Sequence, residues 1–217
     1  MKKVVVWFTA VFAAAWVQLA ISATAPAASP SFTEGKEYEV LPYPVPTRDE
    51  TKIEVVELFW YGCGHCFNFE PHIHKWQKTL AQDVDFYQQP GDFGGWSNET
   101  QLHYTLEVLG LLDKGPVAVF DEYHKLNNQL RSESKRIKFF KSLGVSEADY
   151  KKAWGSFAVQ SKVKMAQSRT RSYRITGVPA MIVAGKYKIT TSSAGGFKGM
   201  LKVADFLIEK ERAARAN

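Results

Sequence analysis

Two cysteines are all that this 217-residue chain has. That scarcity excludes a disulfide-dense secreted scaffold and any zinc site built on four thiolates. Charge of one sign is also in short supply. A formal net charge of +6 is too mild to mark a nucleic-acid binder and fits an ordinary solvated surface. No internal repeat is present, so a solenoid or propeller is excluded. Long apolar runs are missing except at the start, where Lys2 and Lys3 precede VVVWFTAVFAAAWVQLAIS. A short basic region, an apolar stretch and then small residues form the pattern of an export signal. Ala25-Pro26-Ala27 offers a cleavage site after Ala27, which would remove two lysines and no acid and lower the formal charge from +6 to +4. An uncleaved anchor is the competing reading of the same run, which reaches the lower limit for spanning a bilayer.

What remains is enough for one packed domain, or one domain with an insertion, at 45% apolar content. After a small, polar leader (28–36), KEYEVL reads as a short strand stopped by the prolines of PYPVPT. Residues 53–60 form a nearly continuous apolar run, as expected of a strand buried on both faces. Helical spacing follows from Cys66 to about Leu80, with Pro71 inside it and a kink expected there. VDFYQQ (84–89) is a second strand. Residues 97–172 then read as almost wholly helical, with Asn98 and Gln101 as a capping box, Gly115-Pro116 opening a second helix, Ile137, Phe140 and Leu143 marking a third, and Ser146 capping a fourth. A long helix from about Ser156 to Arg171 completes this part. GVPAMIVAGKYKIT returns as two strands around Gly185-Lys186, and an amphipathic helix with Met200, Val203, Ala204 and Leu207 closes the chain. The order predicts an α/β unit (37–96 and 173–217) interrupted by an inserted helical domain (97–172).

Both cysteines lie in LFWYGCGHCFNFEP, at the junction of the buried strand with a helix. A disulfide across two intervening residues closes a minimal loop and constrains the unfolded chain least, so a structural staple is disfavoured. Zinc is disfavoured as well, because His72 and His74 are two apart on a helix and point to different sides. A helix N-terminus stabilises an anion through its unpaired N–H groups, and the thiolate is the reactive form of cysteine. Cys63 is therefore the candidate nucleophile, Cys66 the shielded partner that resolves a mixed disulfide, and His65 a residue that favours the Cys63 anion or simply faces solvent. Glu57 stands in the middle of VVELFW. It reads either as a proton acceptor beneath the sulfurs, with its pKa raised by burial, or as a glutamate at a sheet edge, while Glu54 is expected at the surface. Pro179 opens a strand that otherwise looks central, and a cis Val178–Pro179 bond would reconcile the two.

ELFWYGCGHCFNFEP, FGGW, AWGSFAVQSKV and GVPAMIVAGKY, in this order and spacing, resemble the DsbA family of periplasmic thiol:disulfide oxidoreductases. The likeness runs from about Lys36 to the final helix. It implies a thioredoxin fold with an inserted α-helical domain, Cys63 as exposed nucleophile, Cys66 as its partner, Glu57 as buried acid, and Val178-Pro179 as a cis-proline loop facing the sulfurs. Substrates would be unfolded exported proteins with free cysteines, held along the edge at Gly177 and Val178. The resemblance further implies reoxidation by a DsbB-type quinone-linked membrane partner, the periplasm of a Gram-negative bacterium as location, a monomer, and no metal or cofactor beyond a redox-active Cys63–Cys66 disulfide. One departure concerns the dipeptide between the cysteines, Gly64-His65 where the family usually has Pro-His. Glycine loosens the turn that aims the N–H groups at Cys63, which leaves open a reductase or isomerase of the same fold. A binding or chaperone protein with a structural disulfide is the reading from another class.

Overall fold

The computed structural model describes residues 31–216; the expected signal segment lies outside them. Five strands form one mixed sheet in the order β1-β5-β4-β2-β3. β2 (Ile53–Phe59) and β3 (Val84–Pro90) are parallel and joined by α1 (Gly64–Gln77). Next come α2 (Ser97–Val108), α3 (Gly115–His124), α4 (Glu133–Ser142), α5 (Glu147–Trp154) and α6 (Phe157–Ser172). β4 (Ala180–Val183) and β5 (Tyr187–Thr190) form a hairpin whose first strand runs antiparallel to β2, and α7 (Phe197–Arg215) follows. β1 (Glu39–Val40) pairs only with β5 and makes the edge, consistent with the prolines after it.

Every residue of β2 is buried, and its alternation assigns the two sides of the sheet. Ile53 and Val55 face α1 and α7, where they pack with Phe69, Ile73, Met200, Val203 and Leu207. Val56 and Leu58 face the other way, into a cluster with Tyr173, Ile175 and Ile182. A third cluster holds the helical layer together around Leu102, Leu106, Phe120, Phe140 and Tyr150, and takes in Phe59, Tyr61 and Cys66 from the sheet side. Truncating a core phenylalanine such as Phe120 costs about 3–5 kcal/mol. Cys66 thus sits on the seam between the sheet and the helices.

Several local expectations change on contact with the tertiary structure. Glu54 is fully buried, not exposed. It accepts from Arg169 Nη2 at 2.9 Å and from the backbone N–H of Arg48 at 2.8 Å, so burial is made tolerable by charge pairing between β2 and α6. The capping box at Asn98 and Gln101 does not form: α2 starts after Trp96 with no side-chain cap. Asn98 instead accepts from Arg136 at 2.9 Å, and Gln101 donates to the Trp154 carbonyl at 2.9 Å. Ser132, Ser146 and Ser156 do cap α4, α5 and α6. α1 runs unbroken through Pro71. The end of the expected leader is packed, since the Phe32 ring meets Phe206 edge-on at 5.5 Å.

Candidate active site

β2 ends at Phe59, and the chain turns through Trp60, Tyr61 and Gly62 before α1 begins. Gly62 is needed there, because a Cβ would lie 2.4 Å from the Trp60 ring. That ring is stacked on Trp96 at 4.5 Å. Cys63 is the N-cap of α1, in an extended conformation, and its sulfur accepts from the Cys66 N–H at 3.2 Å. A thiol at an N-cap meets the helix's unsatisfied donors.

Cys63 and Cys66 are both free thiols, the first half-buried and the second buried. Their titration is driven apart. A hydrogen bond from the Cys66 thiol, with backbone N–H donors of Cys66 and His65, pulls Cys63 down to about 6 against the cost of burial, and the nearby His65 adds a smaller favourable charge. Burial, the Cys63 charge and Glu57 push Cys66 far up. One sulfur is poised as a thiolate at neutral pH and the other is kept protonated.

The residues expected to meet at the sulfurs do so to different degrees. His65 is exposed in the first turn of α1. The Val178–Pro179 bond is cis, and the Val178 carbonyl oxygen lies 3.6 Å from Cys63 Sγ. Gly177, Val178, Pro179 and His65 line one groove of about 630 Å³, together with Thr190, Thr191 and the glycines 195 and 196. Glu57 is fully buried on the α1 side of β2, not at an edge. Burial is the main cause that raises its pKa, followed by the charge of Glu70.

Three neighbours were not among the expected site residues. Gln88 stands opposite Glu57 in the parallel register, and its amide donates at 2.7 Å to both Glu57 Oε2 and Glu70 Oε1. Glu70 in turn lies 3.0 Å from His74 Nε2. His124, from α3, hydrogen-bonds the Tyr61 carbonyl at 2.8 Å and stacks on Phe67 of α1 at 4.7 Å. The strand alternation could have paired Gln88 with Glu57, had the register been known.

A reactive thiol at the N-cap of a helix, a buried partner one turn inward and a cis-proline loop against the first sulfur, on this sheet, define a thiol:disulfide oxidoreductase of the thioredoxin fold. A model of the DSBA-like thioredoxin domain matches residues 54–202, and the chain belongs to that family. It is 44% identical over 182 residues to the thiol:disulfide interchange protein DsbA of Azotobacter vinelandii, spanning 83% of this chain and 85% of the relative. The protein of the same name in Pseudomonas aeruginosa is 44% identical over 184 residues, spanning 84% of this chain and 87% of the other. The crystal structure of Pseudomonas aeruginosa DsbA superposes with a TM-score of 0.82 at 43% identity, covering 86% of this chain and 97% of that one. An oxidoreductase DsbA from Xylella fastidiosa gives 0.78 at 27% identity over 83% of this chain and 98% of the other.

Proposed function

We propose that this chain is a periplasmic dithiol oxidase that passes a Cys63–Cys66 disulfide to unfolded exported proteins. A substrate thiolate attacks Cys63 Sγ, the Cys63–Cys66 bond breaks, and Cys66 leaves as a thiolate that must be protonated in its buried site. A second substrate thiolate attacks the substrate sulfur of the mixed disulfide, and Cys63 leaves. The substrate loses two electrons and two protons, and the enzyme holds a dithiol. Glu57, buried on the α1 side of β2 with its pKa raised by burial, exchanges a proton with Cys66, giving it up as Cys66 leaves and taking it back on reoxidation. His65 favours the Cys63 anion. The Pro179 turn presents the Val178 carbonyl, and Gly177 and Val178 form the edge along which an extended substrate pairs.

The observation that carries this reading is the Cys63 sulfur at the N-cap of α1, where it accepts from the Cys66 N–H at 3.2 Å and its thiolate is stabilised. A stable leaving thiolate makes the reduced enzyme the favoured product and the disulfide an oxidant. Reoxidation falls to a DsbB-type quinone-linked membrane partner, with no metal or further cofactor in the cycle and no nucleic acid among its partners. The protein acts as a monomer, after removal of residues 1–27 on export to the periplasm of a Gram-negative cell. Residues 37–96 and 173–217 are the redox unit and 97–172 an inserted helical unit, supported by the largely separate apolar clusters of the two.

A reductase or isomerase is the second reading, and Gly64 between the cysteines favours it. Thiol trapping of residues 28–217 after equilibration in glutathione buffers separates the two. Such pairs span about 150 mV, or roughly 7 kcal/mol for two electrons, between the thioredoxin and DsbA types. A readily reduced pair is the result expected; an equilibrium near the thioredoxin end overturns the oxidase assignment. A chain whose cellular activity survives Cys63→Ser is instead a binding protein.

A further inference from the structure

The segment 174–179 borders two cavities. Its second half lines the groove beside Cys63. Its first half, Arg174 and Ile175, lines another of about 380 Å³ with Asp92, Phe93, Gly94, Gln167, Thr170 and Arg171. The two are close neighbours. A Cβ at Gly91 would lie 3.2 Å from Val178 Cγ1, 3.6 Å from the Phe93 ring and 3.7 Å from Ile175 Cδ1, so the Val178 side chain lies near two residues of the second cavity while its carbonyl faces the sulfur.

Its charge is unbalanced. Arg169, at the same end of α6, is committed to Glu54, Tyr87 and the Pro46 carbonyl. Arg171 and Arg174 have no carboxylate partner among the described residues. Asp92 is the one acid in the lining, but it is buried, and its two oxygens accept from the Gly94 N–H at 2.8 Å and from Gln167 Nε2 at 3.1 Å. Arg171 falls in the last turn of α6, where a cation suits the helix dipole. Arg174 does not share that explanation. It follows the C-cap with φ 50, a left-handed position that Gly or Asn usually fills, so backbone conformation did not select an arginine there. Phe93, 42% exposed, adds an apolar surface to the same lining.

We propose that this cavity is a second substrate subsite, which takes an acidic side chain a few residues from the reacting cysteine. An extended chain advances about 3.3 Å per residue, so a strand paired at Val178 carries the residues beside its cysteine toward the neighbouring cavity. The subsite rests on the oxidase reading above and names the substrates it favours: thiols flanked by Asp or Glu. The methylene stem of Glu lies on Phe93 and its carboxylate between Arg171 and Arg174.

The test uses two-cysteine peptides in which the first cysteine is flanked on both sides by glutamate, glutamine or lysine, and reads their oxidation by the disulfide form of the protein in stopped flow. At low salt the glutamate peptide reacts about tenfold faster than the lysine peptide, attraction replacing repulsion at an exposed site. Added salt shrinks that ratio. In R171Q/R174Q it falls to about twofold or less, and in R171E/R174E it inverts, a reversal that no loss of folding produces. A ratio near one in the wild type, or a ratio that the substitutions leave unchanged, overturns the subsite while the oxidase reading stands. Failure to oxidise any peptide, the glutamine one included, overturns the activity and the subsite together.

Discussion

Cys63 Sγ lies 3.6 Å from the carbonyl oxygen of Val178, 115 residues further along the chain. A carbonyl can accept from the thiol but offers nothing to the thiolate, so the groups that hold the anion must come from the helix. They are the Cys66 thiol and the N–H groups of Cys66 and His65.

The first prediction follows from that division. Thiolate absorbance near 240 nm in the reduced protein should titrate with a midpoint close to the value of about 6 set by these donors. Cys66→Ala removes the largest of them and should move the midpoint upward by about one unit or more, while Cys66 itself stays unreactive to alkylating agents in the wild type. A midpoint that ignores Cys66→Ala would show that the helix N–H groups suffice alone.

Stability of the reduced protein should follow the same group. The Cys63 pKa is depressed on folding, from an ordinary value of 9.0 to about 6. Its stabilisation is therefore complete above the unfolded pKa and is lost as pH falls through that interval. Melting temperatures of the reduced wild type and reduced Cys63→Ala, measured between pH 5 and pH 9.5, should diverge as pH rises through this window and differ by a constant below it. A gap independent of pH would mean that the thiolate does not stabilise the fold.

Glu57 has the opposite sign. Its pKa is raised in the folded chain, so it destabilises progressively as pH climbs above its ordinary 4.5. Oε2 accepts from Gln88, whereas Oε1 has no hydrogen-bond partner among the described residues. Glu57→Gln should raise stability by about 1–3 kcal/mol at pH 8 and by little at pH 4.5, as urea midpoints would read. Oxidation of a peptide dithiol should slow at the same time, for want of a proton at Cys66. A stabilised variant with unaltered kinetics would leave Glu57 with no part in proton transfer.

Chemistry close in sequence was legible, and chemistry assembled by pairing was not. The two cysteines, His65 and the Val178-Pro179 turn are set by strand-to-helix spacing and by proline geometry, which act over a few residues. Glu54 shows the opposite case. Its alternation places it opposite Glu57 on the sheet, but whether it is solvated or paired depends on Arg169, 115 residues away. Gln88 is similar: a neutral amide carries no signal until the register of β3 sets it against Glu57. Arg136 precedes Ile137 on α4, and nothing in the spacing places a charge inside. It is buried because Tyr150 and the carbonyls of Leu130 and Arg131 take its guanidinium donors. Propensity marked the helices; only packing decides which of their charges go inside.

Gly64 gives the sharpest comparison between local geometry and redox behaviour. It is the first residue of α1, and a Cβ there would meet nothing within 4 Å. Proline suits that first helical position, because its fixed φ is already helical and its missing N–H would be an orphan anyway. Gly64→Pro should therefore fold normally and stabilise the protein by about 0.4–1 kcal/mol, through a less flexible unfolded chain. It should also hold the Cys66 and His65 N–H groups more firmly toward Cys63. The Cys63 midpoint then falls, the thiolate becomes a better leaving group, and the glutathione equilibrium shifts toward the dithiol. Both readouts must move together, because one set of donors controls them. A variant that is more stable but unchanged in thiolate titration and in equilibrium would mean that the glycine had already left those donors fully organised, and that the dipeptide sets oxidising strength by another route.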